Sequence, residues 1–329
     1  MIYLELLEGQ GLGNQLWNYV TLRSICKTLD YGYKIINPEK FKGKTFLDIS
    51  YSKSSTVRGS QNYIKENDLK YIFEEKIYFD YSLKSYVSDF DKEILKLKSN
   101  TLIKGLFQSE KYLFNNDINQ FIKIKALNKK KPKAFKNKCL LNIRGGEYKR
   151  FKDLILPKSY WLNAMKNMKK TNPNIEFFII TDDYKYAEKL LPNIEIMKGK
   201  INEDFYNLYS AEYLIVSNSS FSYFPITLGE KPKKIIAPSD WSRFGNKQGK
   251  WVSPANYYEN WSYQNIEGEL IFTEDIEKSI TNTMKIYSSY NIITTQESIY
   301  RKPIFSFIPI NLRKLLKKLL SKIFPLHIG

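Results

Sequence analysis

The apolar residues of the chain fall into short runs typical of buried strands and longer stretches with the spacing of helices. Residues 2–6 predict a strand, and residues 14–32 place apolar side chains three and four positions apart, as on one face of a helix. Gly32 suits the C-terminal cap of that helix, and residues 33–38 predict a second strand that ends at Pro38. This strand–helix–strand order is typical of the beginning of a parallel α/β sheet.

The middle of the chain is less regular. Residues 40–100 are highly charged and we expect helices there, whereas residues 101–113 predict a strand, a loop and then a helix. Residues 128–133, with the sequence NKKKPK, are basic and interrupted by a proline, as is typical of a linker. We therefore expect a first α/β domain over residues 1–127 and a linker over residues 128–135.

After the linker the alternation of strands and helices resumes. Apolar runs typical of strands buried on both faces occur at 138–143, 175–181, 211–216 and 233–238, and helical spacing occurs at 157–170 and 184–192. We predict a second α/β domain over residues 136–290. Two Rossmann-like domains of this kind would face each other across a cleft.

The remaining residues, 291–329, have a different pattern. Leucine and isoleucine recur at three- and four-residue spacing from Leu312 to Ile323, lysine and arginine fill the other face, and no acid follows residue 300. Such a basic amphipathic helix suits an anionic membrane surface. The alternative is a helix that packs its leucines on its own domain and exposes its lysines to water.

Composition narrows the chemistry of this chain of 329 residues. Its formal charge of +18 favours anionic partners. The single histidine, His327, lies two residues from the C-terminus, which excludes a Ser-His-Asp triad, a Cys-His pair and an HExxH zinc site. Any general base must then be Asp, Glu, Lys or Tyr.

Cys26 and Cys139 lie in apolar runs, as buried thiols of a reducing compartment do. With no secretory signal and no stretch of ~20 apolar residues, we expect a cytoplasmic protein.

Polar residues follow three successive strands of the second domain. The first strand is followed by Arg144, Gly145, Gly146 and Glu147 and carries Asn142 near its end, the second by Asp182 and Asp183, and the third by Ser217, Asn218, Ser219, Ser220 and Ser222. Ligands of open α/β sheets bind beyond the carboxyl ends of the strands. An arginine fork and the N–H groups of a helix start suit phosphate, and a carboxylate suits the edge of guanine. Each cluster alone also occurs as a surface ion pair or a helix cap.

The first strand of the chain leads into the glycine-rich stretch GQGLGNQLW, residues 9–17. Gly9 and Gly11 fit the dinucleotide fingerprint GxGxxG, but Asn14 occupies the place of its third glycine. The second strand also lacks the expected acid at its end. These departures argue against a Rossmann oxidoreductase.

Six segments, in this order, resemble the bacterial α-1,2-fucosyltransferases of glycosyltransferase family 11. They read GLGNQLW, GLFQSEKYL, NIRGGEY, LPKSYW, IITDD and SNSSFSYFPITLGEKPKKIIAPSDW, and they are spread over residues 9–241. The resemblance implies a two-domain enzyme of the GT-B type. It also implies a GDP-sugar donor and no required metal.

The resemblance assigns roles to individual residues. Arg144 would hold the donor diphosphate and stabilise the leaving charge, and Asp183 would recognise guanine. The diphosphate and base pocket would be lined by Ser219, Ser220 and Phe221, and the first domain would face the donor with Gly11, Gly13 and Asn14. The family's HxRxGD-type motif is altered, because Asn142, Gly145 and Glu147 replace its histidine, second arginine and aspartate.

These features lead us to expect an inverting glycosyltransferase that moves L-fucose from GDP-fucose to a glycan hydroxyl in an α-1,2 linkage. Glu147 is our candidate for the base, and its alternative role is to orient Arg144. The acceptor would be an oligosaccharide or lipid-linked glycan of surface polysaccharide such as O-antigen, assembled on the cytoplasmic face of the membrane. A transferase for another nucleotide sugar and a non-catalytic glycan-binding protein stay open. No RNP, KH or zinc-finger pattern supports nucleic-acid binding.

Overall fold

The structure is a computed structural model that describes residues 1–53, 69–80, 85–125, 137–150, 154–240, 257–287 and 292–293. Its strands are β1 Ile2–Glu5, β2 Tyr33–Ile36, β3 Leu47–Ile49, β4 Ser52–Lys53, β5 Tyr71–Glu74, β6 Ile77–Asp80, β7 Ser85–Ser88, β8 Thr101–Lys104, β9 Ile122–Ile124, β10 Lys138–Ile143, β11 Glu176–Thr181, β12 Glu195–Ile196, β13 Tyr213–Val216, β14 Lys234–Pro238, β15 Ser262–Gln264, β16 Leu270–Ile271 and β17 Ile292–Ile293. Its helices are α1 Leu12–Thr28, α2 Lys158–Thr171, α3 Tyr184–Leu190, α4 Ile201–Tyr209, α5 Ser220–Leu228 and α6 Thr273–Tyr287. The predicted linker at 128–135 and the predicted amphipathic helix at 312–323 lie outside the described residues.

Each half of the chain contains a mainly parallel sheet. The first has the strand order β4-β2-β1-β8-β5, with β4 antiparallel at one edge. The second has the order β12-β11-β10-β13-β14-β15-β16, with β16 antiparallel at the other edge. β13 is apolar and buried along its whole length, and β10 is buried at every residue except Lys138. Both patterns are expected of central strands covered on both faces. The prediction of an α/β fold with two Rossmann-like domains is confirmed.

Two local predictions for the first half are wrong. Helix α1 ends at Thr28, and Asp30 adopts a left-handed conformation with φ of 54°. Gly32 therefore lies beyond the helix end, in the turn before β2. The described part of residues 40–100 contains strands β3–β7 and short 3₁₀ turns, and no α-helix. β3 pairs with β9 and β5 with β8, which are distant in sequence, whereas β6 and β7 are neighbours in sequence and pair with each other. The charge-rich local sequence did not reveal these strands.

The two halves pack directly on each other through α1 and α5. Trp17 of α1 is fully buried and stacks on Tyr223 of α5, with ring centroids 4.4 Å apart. Phe46 of the first half contacts Phe205 of α4, with centroids 5.3 Å apart. One hydrophobic core thus runs from the first sheet into α4 and α5 and fixes the starts of these helices beside the first half.

The chain also returns to the first half after α6. Strand β17, Ile292–Ile293, pairs antiparallel with β6 of the first half. This pair of residues falls in the segment that the sequence assigned to the tail. The second half is therefore connected to the first by backbone pairing at this point as well as by side-chain packing.

The two halves approach each other closely at Gly13, in the first turn of α1. A Cβ atom at Gly13 would lie 2.5 Å from the Ser220 carbonyl carbon and 2.6 Å from the Phe221 nitrogen. Both are backbone atoms, so no side-chain rotation can relieve the clash. This position requires glycine because of close packing.

We predict that Gly13→Ala destabilises the protein by about 1–3 kcal/mol, measured as a fall of several degrees in the melting temperature. Gly11→Ala is the matched control, because a Cβ at Gly11 meets no atom within 4 Å. Its effect should stay within about 0.5 kcal/mol. Equal melting temperatures for the two variants would contradict this packing account.

Candidate functional site

A cavity of about 290 Å³ lies at the carboxyl ends of β10 and β11, where α3, α4 and α5 begin. It is lined by Asn142, Arg144, Ile180, Thr181, Asp182, Tyr184, Gly199, Ile201, Asp204 and Phe221. This is the edge at which the sequence predicted a ligand. The predicted residues Asn142, Arg144 and Phe221 meet there.

Arg144 is held at the cavity by its neighbours. Its Nη1 lies 2.8 Å from Oδ2 of Asp182, and its guanidinium is 5.3 Å from the centre of the Tyr148 ring. Asp182 is fixed in turn, because its Oδ1 accepts a 2.9 Å hydrogen bond from the Gly145 N–H. A Cβ atom at Gly146 would collide with the same carboxylate. The absence of a side chain at Gly146 therefore lets the loop after β10 close tightly on Asp182, and at Gly145 it makes room for Tyr186 and Asp183.

Asp204, in the first turns of α4, brings a second carboxylate to the cavity. Its pKa is raised to about 7, mainly by burial and also by the nearby charges of Glu203 and Asp182. The next two residues, Phe205 and Tyr206, are buried in the core shared with the first half. Interdomain packing thus positions α4 so that Asp204 lies on the cavity.

Three residues that line this cavity each contain a buried polar atom with no hydrogen-bond partner among the described residues. The atoms are Asn142 Oδ1, Arg144 Nε and Asp204 Oδ1. Leaving such atoms unpaired is costly, and in native proteins they are usually satisfied by water or a ligand. The set combines one cationic donor with two acceptors. A ligand that carries both an anionic group and N–H donors matches it.

The glycine-rich stretch approaches this site from the first half. Asn14 Oδ1 accepts a 2.7 Å hydrogen bond from Ser220 Oγ, and Gly13 packs on the Ser220–Phe221 backbone. Ser219 caps α5 by accepting from the Phe221 N–H at 3.3 Å. The first turns of α1 and α5, which contain no acid, therefore lie side by side. Two helix N-termini without acidic residues favour an anion.

Seven of the ten predicted site residues do not line the cavity. Four of them, Gly13, Asn14, Ser219 and Ser220, lie at the contact between α1 and α5 described above, and the other three are Asp183, Glu147 and Gly11. The Asp183 carboxylate caps α3 by accepting from the Tyr186 N–H at 3.1 Å and forms an ion pair with Lys149. Glu147 is exposed, with its Oε1 3.7 Å from Nη2 of Arg144. Gly11 is the exposed N-cap of α1 and packs against nothing.

Asp182 and Asp204 are cavity residues that the sequence interpretation passed over as ligand contacts. Asp182 belongs to the pair of acids after β11, and the residue chosen from that pair was its neighbour. Asp204 gave a weaker signal, because an acid near a helix start is ordinarily explained by the helix dipole. The sequence analysis predicted no helix at this position; the apolar pair Phe205 and Tyr206 is the feature that could have indicated a buried one.

Within the described ranges, no group of three or more His, Cys, Asp or Glu side chains could hold a metal ion. Cys26 and Cys139 are both buried and free, as expected. No helix in the described part of the chain is sufficiently long and apolar to span a membrane.

The chain resembles known proteins only distantly, and no protein-family model matches it. It is 25% identical over 136 residues to an alpha-1,2-colitosyltransferase of Escherichia coli, an alignment that covers 35% of this chain and 47% of the relative. The chain thus matches about half the length of this relative.

Two solved structures are similar in arrangement. One is NodZ alpha-1,6-fucosyltransferase soaked with GDP-fucose, at 12% identity over 69% of this chain and 92% of that chain, with a TM-score of 0.37. The other is the E. coli heptosyltransferase WaaC with ADP, at 10% identity over 87% of this chain and 98% of that chain, with a TM-score of 0.38. The names of all three proteins describe sugar transfer, and the sugars they name differ.

We predict that Asp204→Asn stabilises the ligand-free protein increasingly as the pH rises from 5 to 8. The folded wild type retains a proton on Asp204 up to about pH 7, whereas the unfolded chain loses it near pH 4, so wild-type stability falls as pH rises through this window. After allowance for solvent screening, the gain at pH 8 is on the order of 1 kcal/mol. The check is the difference in melting temperature between variant and wild type at each pH. A difference that is constant or shrinks with pH would contradict the raised pKa.

Proposed function

We propose that the protein is an inverting glycosyltransferase that binds a sugar nucleotide in the cavity between β10, β11 and α4. The observation that carries this proposal is that Asn142, Arg144 and Asp204 line one cavity and that each contains a buried polar atom without a partner among the described residues. The sequence resemblance to family 11 fucosyltransferases and the similarity to a colitosyltransferase support it.

Arg144 would bind the diphosphate of the donor. Its Nε has no partner among the described residues, and one side of its guanidinium already rests on Asp182. A fixed guanidinium stabilises the negative charge that develops on the departing diphosphate, without having to reorganise during the reaction. The first turns of α1 and α5 add N–H groups directed toward the same charge.

Asp204 would recognise guanine. An ionised carboxylate can accept both the N1–H and the N2–H of guanine, whereas uracil, cytosine and adenine each offer a single donor position on that edge. Asn142 lies on the same cavity and has a free acceptor oxygen. Asp183, to which the resemblance assigned this role, has its carboxylate engaged by the Tyr186 N–H and Lys149.

In the reaction itself, an acceptor hydroxyl would attack the anomeric carbon as the bond from that carbon to the diphosphate oxygen breaks. The hydroxyl proton passes to a base, and the nucleoside diphosphate leaves with the bonding electron pair. Glu147 is the candidate for the base, being an exposed carboxylate close to Arg144. The closed contact between the two halves would exclude water and orient the acceptor.

We propose L-fucose from GDP-fucose, transferred in an α-1,2 linkage, as the specific reaction. The altered HxRxGD-type motif and the colitosyltransferase similarity make another GDP-sugar the alternative. Surface polysaccharide synthesis at the cytoplasmic membrane face, with a lipid-linked glycan as acceptor and the basic tail as membrane contact, rests on sequence alone. Transfer without a metal cofactor rests on the family resemblance.

The test of this proposal is a donor screen. We expect GDP to raise the melting temperature, while UDP, CMP and ADP at the same concentration raise it far less. A ligand present at 100 times its Kd stabilises by about 2.7 kcal/mol.

Asp204→Asn should weaken GDP binding about tenfold, because a neutral amide replaces a charge-assisted acceptor. Preference for another nucleotide would contradict guanine recognition, and GDP binding without turnover of any GDP-sugar would favour a non-catalytic glycan-binding protein.

Arg144→Ala should lower kcat for sugar transfer by about 10²–10³-fold, as expected for the loss of a preorganised charge-stabilising group. Arg144→Lys is the matched variant, since it retains the charge but loses the planar fork, and it should recover only part of the activity. The melting temperatures of both variants establish that they are folded. Near-wild-type turnover by folded Arg144→Ala would overturn the assignment of Arg144.

A further inference from the structure

The amide of Asn14 is held in one orientation by both halves of the protein. Its Oδ1 accepts a hydrogen bond from Gln108 Nε2 at 2.8 Å, in the first half, and one from Ser220 Oγ at 2.7 Å, in the second. A carbonyl oxygen has two lone pairs, so both acceptor positions are filled. Asn14 Nδ2 makes no hydrogen bond to any residue in the described part of the chain. The side chain can therefore offer a ligand only N–H donors.

Gln108 is itself fixed by an unusual loop. The preceding residue, Phe107, is in the left-handed region with φ of 50°, a conformation that costs free energy for a bulky side chain. The carboxylate of Glu75, which is fully buried, holds this conformation by accepting from the Leu106 N–H at 2.7 Å and the Phe107 N–H at 2.9 Å. Tyr112 donates to its other oxygen at 2.9 Å.

The surroundings of Asn14 suit an anion. Asn14 lies in the first turn of α1, next to the first turn of α5, and neither turn contains an acid. Phe221, whose backbone abuts Gly13, lines the cavity together with Arg144. A nucleotide bound in that cavity would have diphosphate oxygens that can accept hydrogen bonds both from Arg144 and from the first turns of the two helices.

We propose that Gln108 is a positioning residue that, together with Ser220, orients Asn14 so that its Nδ2 donates a hydrogen bond to a diphosphate oxygen of the sugar nucleotide. The proposal rests on the proposed function. It gives Asn14 the role of a donor to the leaving group. It excludes Asn14 as an acceptor of the proton from the attacking hydroxyl.

The decisive variant is Asn14→Asp. The aspartate retains an oxygen that accepts from Gln108 and Ser220, so the fold should survive, but it presents a negative oxygen where the Nδ2 donor was. We expect the Kd for GDP to rise at least about tenfold, with the Kd for guanosine unchanged because guanosine carries no phosphate. A purely structural role for Asn14 would change both ligands alike.

Gln108→Glu tests the positioning step. The carboxylate cannot donate to Asn14 Oδ1, so the Asn14 amide should turn over and direct its oxygen at the diphosphate. We expect the same selective loss of GDP affinity and a lower kcat. Gln120→Glu is the matched control, because Gln120 is exposed on the same half and only accepts from Lys27 Nζ at 2.7 Å. Gln108→Met, which removes the donor without adding charge, replaces Gln108→Glu if the latter does not fold.

The outcomes separate the two proposals. If the wild type binds no GDP, the proposed function fails, and the proposal for Asn14 and Gln108 fails with it. If the wild type binds GDP and folded Asn14→Asp binds it equally well, the donor role of Asn14 is overturned while the proposed function stands. If Asn14→Asp loses GDP but neither Gln108 variant does, the positioning role of Gln108 is overturned.

Discussion

The contact between the first turns of α1 and α5 is the constraint on which the candidate site depends. Gly13 allows the two backbones to approach, Asn14 bridges them through Ser220, and Trp17 stacks on Tyr223 one turn further along. These three residues belong to one short stretch of sequence but perform different physical tasks. Together they join the halves in a shared core, so that a group on the first half lies at a fixed distance from the ligand edge of the second sheet.

The same packing determines the electrostatics of the cavity. Helix α4 is anchored by Phe205 and Tyr206 in the shared core, which leaves Asp204 partly desolvated beside Asp182. The protein therefore contains a carboxylate with a raised pKa and an arginine with an unpaired N–H among the residues that line one cavity. Such groups lower the stability of the empty protein, and a ligand with complementary charge would remove that cost. The site is in this sense complementary to a ligand that combines N–H donors with an anionic group.

Much of the fold was accessible from the sequence because apolar runs identify strands that are buried on both faces. β10, β11, β13 and β14 were all predicted in this way, and the residues after them do gather at one edge. Strands β3 and β5 were missed because their partners, β9 and β8, are distant in sequence, so their stability comes from pairing and not from local pattern. For the site, the choice between Asp182 and Asp183 depended on which carboxylate turns toward the helix cap. Asp204 depended on long-range packing, which no local motif encodes. Gln108 lies in the quoted segment GLFQSEKYL, but its contact with Asn14 also depends on long-range packing.

The most direct measurement is a crystal structure of the protein with GDP bound. The account predicts that the base lies against Asp204 and Asn142, that the diphosphate contacts Arg144, and that Asn14 Nδ2 lies within hydrogen-bond distance of a diphosphate oxygen. A nucleotide bound elsewhere, or one in this cavity with its diphosphate directed away from Arg144 and Asn14, would contradict it.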